Sequence, residues 1–162
     1  MKTSRVLFTE SAALLLLVAS FALGSIFAPS LLSITAAGTI NLDTTGSDYW
    51  QGTSYDYISA SDVQADTTIV VFLSYFSGSG EQVSSVEKYT GSYTDFTQLC
   101  SSGQNDDNVV SEVWYLGNNQ DSYFDIDVNL TDVVSELHVE YASYTGVDSA
   151  APISGYNCDT QY

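Results

Sequence analysis

The sequence predicts a mainly β chain, an antiparallel two-sheet sandwich preceded by one long hydrophobic N-terminal helix. Three observations predict it. Beyond residue 39, short runs of Val, Ile, Thr, Tyr and Phe alternate with Gly, Ser, Asn and Asp, the spacing of strands and turns. In SYFDIDVNL, Phe124, Ile126, Val128 and Leu130 alternate with Asp125, Asp127 and Asn129, the period of two of a sheet with one wet face. Residues 11–38 carry no charge at all, and about 20 apolar residues in a helix suffice to cross a bilayer core.

The 162 residues suffice for one domain plus a terminal segment. Charge divides them near residue 38. Of the 20 acidic residues only Glu10 lies before that point, whereas Lys2 and Arg5 do, leaving Lys88 as the sole basic residue afterwards. Residues 1–38 therefore form the hydrophobic segment and 39–162 an acidic, tyrosine-rich extracellular domain. With no basic patch, the chain has nothing to hold a phosphate backbone, which excludes nucleic acid as a partner. The acidity itself is first of all solubility and surface repulsion.

Along the N-terminal segment three readings stand side by side. Lys2 and Arg5, an apolar run and the small residues Ala36-Ala37-Gly38 suit a cleaved secretory signal. The same features suit a permanent anchor with its basic end inside. A third reading explains Glu10, since a carboxylate within lipid or a packed bundle is costly without a partner. Val6-Leu7-Phe8-Thr9-Glu10 and the apolar run behind it resemble the N-terminus of type IV pilins and their archaeal relatives, where a glutamate is the fifth mature residue. Arg5 stands where pilin leaders normally end in Gly or Ala. The resemblance implies an assembly helix in which Glu10 meets the N-terminal amine of a neighbouring copy, making copies of the chain its partners and the membrane its place before assembly.

After the segment, strands are expected at 39–43, 54–60, 67–76, 83–89, 94–100, 109–116, 122–130 and 136–145. IVVFL, within the third, is apolar on both faces and should be central. In ELHVEYASYT, Leu137, Val139 and Tyr141 oppose His138 and Glu140. SGSGEQ (77–82), SSGQNDDN (101–108) and GNNQDS (117–122) read as turns, and no helix of useful length is visible after residue 40.

VSSVEKYTGSYTDFTQL, SEVWYLGN and VEYASYTGVDSAAPI are similar to stretches of the β-sandwich domains of bacterial and archaeal surface proteins. The similarity spans residues 67–153 and matches Val83, Val86 and Tyr89, then Glu112, Trp114, Tyr115 and Leu116, then Tyr144, Gly146, Val147, Asp148 and Pro152. It implies a jelly-roll-like or immunoglobulin-like sandwich and an extracellular, cell-surface setting, and no reaction. Gly146 and Asp148 suit a turn after the last strand.

Candidate sites are few. Cys100 and Cys158, without a CxxC or Cys/His cluster, read in an exported chain as one disulfide, a bridge that adds roughly 4 kcal/mol in the chain-entropy model. Asn129-Leu130-Thr131 is the one glycosylation sequon, placed at a strand end with its Asn on the wet face. Trp50, in the polar stretch DYWQGTSYDY, is the candidate ligand contact, with a surface glycan as the partner it would stack on, while Trp114 is expected in the core. His138 between Glu136 and Glu140 reads as a surface residue, because no nucleophile motif accompanies it. Asp125, Asp127 and Asn129 share a face, but nothing has the spacing of a calcium loop. The expectation is therefore a non-catalytic structural protein with no metal and no cofactor, a subunit of a pilus-like surface filament. The alternative is a secreted or anchored adhesin or carbohydrate-binding module.

Overall fold

The computed structural model describes residues 33–34, 36–102, 108–148 and 152–155. Most of the helix expected over residues 1–38, with Glu10, lies outside the described residues, as does Cys158; its described end, Ser33–Ile34 and residues 36–38, is strand rather than helix, paired into the sheets by its backbone. Nine strands follow in order: β1 (Ser33–Ile34), β2 (Ala36–Ser61), β3 (Thr67–Phe76), β4 (Val83–Tyr89), β5 (Tyr93–Asp95), β6 (Thr97–Ser101), β7 (Val109–Asn119), β8 (Tyr123–Val147) and β9 (Ile153–Gly155). The chain is mainly β, every pairing is antiparallel, and no helix occurs among the described residues.

β1 and β9 pair as a separate two-stranded sheet, and β8 organises the remaining strands. One of its sides is taken by β2 from end to end; the other is shared, with β4 on residues Asp125–Leu130 and β3 on Leu137–Tyr144. β7 then pairs with β3, β6 with β7 and β5 with β4, giving a seven-stranded sheet. The ladder between β2 and β8 steps from Thr53↔Val134 straight to Tyr55↔Asn129, so residues 130–133 of β8 have no β2 partner. Extra residues on one strand bend a ladder. Here the bend turns one half of the sheet onto the other.

The alternation of buried side chains changes phase across that bend. Phe124, Ile126 and Val128 point inward before it, Leu137, Val139 and Tyr141 after it, and all six belong to one core. Without a shift from even to odd numbers, the second half would turn its apolar face to water. Ile58 and Val86 from the first half join Leu73, Tyr75 and Trp114 from the second in that core. β3, between β8 and β7, is apolar on both faces as its sequence predicts. Ile69, Val71 and Leu73 enter the main core, and Val70 lies in a second cluster with Tyr144 and Val147, against which Phe72 packs.

Expected and observed strands coincide at 67–76 and 83–89. Elsewhere boundaries differ for identifiable reasons. The strands expected at 39–43 and 54–60 are one strand, β2, and those at 122–130 and 136–145 are one strand, β8, because the bend disturbs the ladder without ending it. The strand expected at 94–100 is broken at Phe96, which is buried and whose N–H donates to the Val86 carbonyl at 2.9 Å. GNNQDS is strand as far as Asn119, and Asn118 takes a φ of 57°, a conformation asparagine tolerates. Gly146 has the positive φ expected of it, 75°, but inside β8 rather than after it. It sits where the ladder jumps from Asn41↔Thr145 to Ala36↔Val147, and a Cβ there would lie 2.2 Å from the Thr39 carbonyl oxygen.

Lys88 points inward. Its Nζ bonds Asp121 Oδ2 at 2.6 Å and Asn119 Oδ1 at 3.1 Å and lies 5.7 Å from the Phe124 ring centre. Asp121 remains half exposed, so this pair keeps part of its hydration and avoids the full cost of a buried ion pair.

Candidate functional site

β2 is an edge strand, and its course creates the cleft that carries the best candidate. Gly52, with a φ of 63°, and Thr53, whose Oγ1 accepts the Tyr55 N–H at 3.2 Å, turn the strand between its two arms. The arms flank an open, polar cleft of about 660 Å³ that includes Gly46, Asp48, Trp50, Asp56, Asp62 and Tyr141. Tyr141 lies directly across the ladder from Gly46, and a Cβ on Gly46 would meet its ring at 2.5 Å. Glycine there lets the ring lie over the strand.

Trp50 is half-buried and packs against the main core, so the expected exposed contact is instead a ring anchored on one side and open to the cleft on the other. Aspartates stand on both arms. Asp48 Oδ1 accepts the Tyr49 N–H at 2.8 Å and Asp56 Oδ1 the Tyr57 N–H at 3.0 Å. The Asp56 carboxyl is pushed above its ordinary range by burial first, and by the charge of Asp48, against the lowering effect of the Tyr57 N–H. The two carboxylates thus sense each other across the bend. An aromatic floor with carboxylate acceptors suits a polyhydroxyl ligand, whose ring would stack and whose hydroxyls would donate.

These backbone contacts also protect the edge. A free strand edge is a template for pairing with another chain. On β2 the N–H groups of Tyr49, Tyr55 and Tyr57 are occupied by Asp48, Thr53 and Asp56 side chains.

Other expected site residues lie apart from the cleft. His138 is on the opposite face of the second half, its ring tilted against that of Tyr49 with 4.4 Å between centres. Trp114 is buried in the main core, as expected. Asn129 lies inside β8 just before the bend rather than at a strand end, half-buried, its Nδ2 donating to Ser85 Oγ and Glu87 Oε2, both at 3.0 Å. Cys100 is half-buried on β6. Among the described residues no three acidic, His or Cys side chains converge on a point that could hold a metal ion.

Sequence reasoning missed Asp48 and Asp56, although the repeated Asp-Tyr in DYWQGTSYDY was the available signal. It also missed the environment of Glu112. This carboxylate is on the core face, 4 % exposed, and accepts from the Tyr75 hydroxyl at 2.9 Å, Gln98 Nε2 at 3.0 Å and Trp114 Nε1 at 2.8 Å. Burial holds its carboxyl above the ordinary range, the three donors pulling the other way. Every acceptor role there is internal, so Glu112 ties β3, β6 and β7 together. No protein-family model matches the chain, and no curated protein matches it either.

Proposed function

We propose that the chain is a non-catalytic extracellular structural protein, a subunit of a pilus-like cell-surface filament joined through its apolar N-terminal segment. The observation that carries this reading is a continuity: the uncharged run of residues 11–38 ends inside the sheet domain, its last described residues forming β1 at Ser33–Ile34 and the start of β2 at Ala36. A tether attached there holds the acidic domain by one edge. Self-association through that edge is disfavoured by its side-chain caps and by the domain's negative charge, which leaves the apolar segment as the place where copies meet. Glu10 then neutralises a neighbour's N-terminal amine, and a bridge between Cys100 and Cys158 closes the C-terminal tail onto β6. The folding of one half of the sheet onto the other supports a jelly-roll-like sandwich as the domain's architecture. Donor-strand exchange through TINLD (39–43) is the weaker route, because Asn41 and Leu42 already pair with Thr145 and Tyr144 of the same chain.

Two measurements test it. Mass spectrometry of the mature protein should find a start at Val6, with starts at Met1 or near Thr39 assigning an anchor or a signal peptide. Chain lacking residues 1–35 should sediment as a soluble monomer, and filaments formed by it would overturn the proposal.

The cleft favours a second reading, a module that binds a surface glycan. Trp50→Ala is then expected to weaken binding to an oligosaccharide array about tenfold, as the loss of one stacked ring does. Unchanged binding would remove the cleft from consideration.

A further inference from the structure

We propose that the outer face of the β5-β4-β8-β2 half is a docking surface for a basic, arginine-bearing segment of another protein. The face is built by register. Glu87 on β4 stands directly opposite Asp127 on β8, and Tyr89 opposite Asp125, with Tyr93 of β5 beyond Tyr89. Two carboxylates directly across a ladder destabilise a sheet, yet this sheet places a third, Asp125, two residues further along the same face. Their partners are neutral: the Ser59 hydroxyl donates to Asp125 Oδ1 at 2.6 Å, Asn129 Nδ2 to Glu87 Oε2, and the Tyr55 hydroxyl to Asp127. Lys88, the one lysine among the described residues, points to the other side and is held by Asp121.

Around this charge stand aromatic rings. Tyr55, Tyr89 and Tyr93 are 48 %, 39 % and 59 % exposed, and the Tyr89 and Tyr93 rings lie 4.8 Å apart. Exposed rings beside the half-buried carboxylates of Glu87 and Asp125, with Asp127 buried beneath them at 3 % exposure, fit a guanidinium, which stacks on an aromatic face while its fork of donors reaches Glu87 or Asp125. A metal ion is the poorer occupant, since the carboxylates do not converge on one point. A neutral glycan would leave the repulsion between Glu87 and Asp127 in place. A second copy is the poorer occupant, because Lys88 is 7 % exposed and the start at Val6 proposed above removes Lys2 and Arg5. Charge complementarity therefore selects a foreign basic segment.

The test titrates a short arginine–glycine repeat peptide into the full-length protein, held in a non-ionic detergent, by calorimetry at low ionic strength. Tyr93→Ala combined with Asp125→Asn should weaken binding about tenfold, the combined effect of one cation–π contact and one ion pair. Glu136→Gln, which removes the same charge from the other half of β8, should change it less than about twofold. Both sites are solvent-facing, and circular dichroism confirms that the variants fold. Equal weakening by the two variants would reduce the binding to diffuse attraction and overturn the proposal. Absence of binding would do the same, as would a neutral oligosaccharide that binds in place of the peptide and is lost with Tyr93→Ala.

Discussion

Replacing Glu112 by alanine is expected to lower the unfolding free energy by about 4 kcal/mol, read from urea denaturation. The side chain is the common acceptor for Tyr75, Gln98 and Trp114. Each orphaned buried donor costs about 1–3 kcal/mol, and relief of the carboxylate's own desolvation offsets part of the sum. Glu112→Gln should cost far less, about 1 kcal/mol, because its oxygen can still serve Gln98 and Trp114 while its amide donates to the Tyr75 oxygen. A large loss in both variants would show that charge, rather than hydrogen bonding, holds this corner.

The same pair of variants predicts a pH effect. Glu112 binds its proton more tightly in the folded chain than in the unfolded one. Unfolding therefore releases a proton over the window that starts at the ordinary value of 4.5 and ends at the raised folded value. Stability from this group is fully present below the window and is lost as pH rises through it. In Glu112→Gln that downward limb should be missing, so the two stability curves converge as pH rises through the window.

Gly146→Ala should rank next, at about 3 kcal/mol. Two penalties combine: a left-handed φ of 75° for a residue with a Cβ, and a contact of 2.2 Å with the Thr39 carbonyl, a backbone atom that cannot swing aside. Gly52→Ala separates them. Its φ is 63°, but no atom lies within 4 Å of the added Cβ, so only the conformational part applies, about 1 kcal/mol. Thermal unfolding of both variants checks the order, and equal losses would mean that the close approach at Thr39 carries nothing.

The sequence exposed those parts of the fold that rest on local alternation. β3 and β4 have clean boundaries because their burial pattern stays in phase and polar turns bracket them. β2 and β8 were read as four strands because the sequence shows the change of phase at the bend but not the ladder that continues through it. That ladder joins residues some 60 to 110 positions apart, such as Ser61 with Tyr123 and Ala36 with Val147, and no local pattern reports such a partner. The cleft was half legible for the same reason. Trp50 was marked by its polar surroundings, while the meeting of Asp48 with Asp56 depends on a corner that only the fold makes. Glu112 within SEVWYLGN followed the inward period of Trp114, and a carboxylate at a core position is the signal that should have drawn notice.

The place of β8 in the chain sets a timetable for synthesis. β2 finds its ladder partner only in residues 123–147, and β3 and β4 also lean on that segment, so apart from the short β4–β5 turn almost nothing translated before β7 can zip up. Long loops must close before such contacts reward the chain, which makes the closing step slow. Once β7 emerges, β3 and β6 can pair with it, but β2 stays unpaired and β3 keeps one open edge until residues 123–147 follow, a condition suited to threading through a narrow pore and one that leaves that edge in need of a chaperone's cover until then.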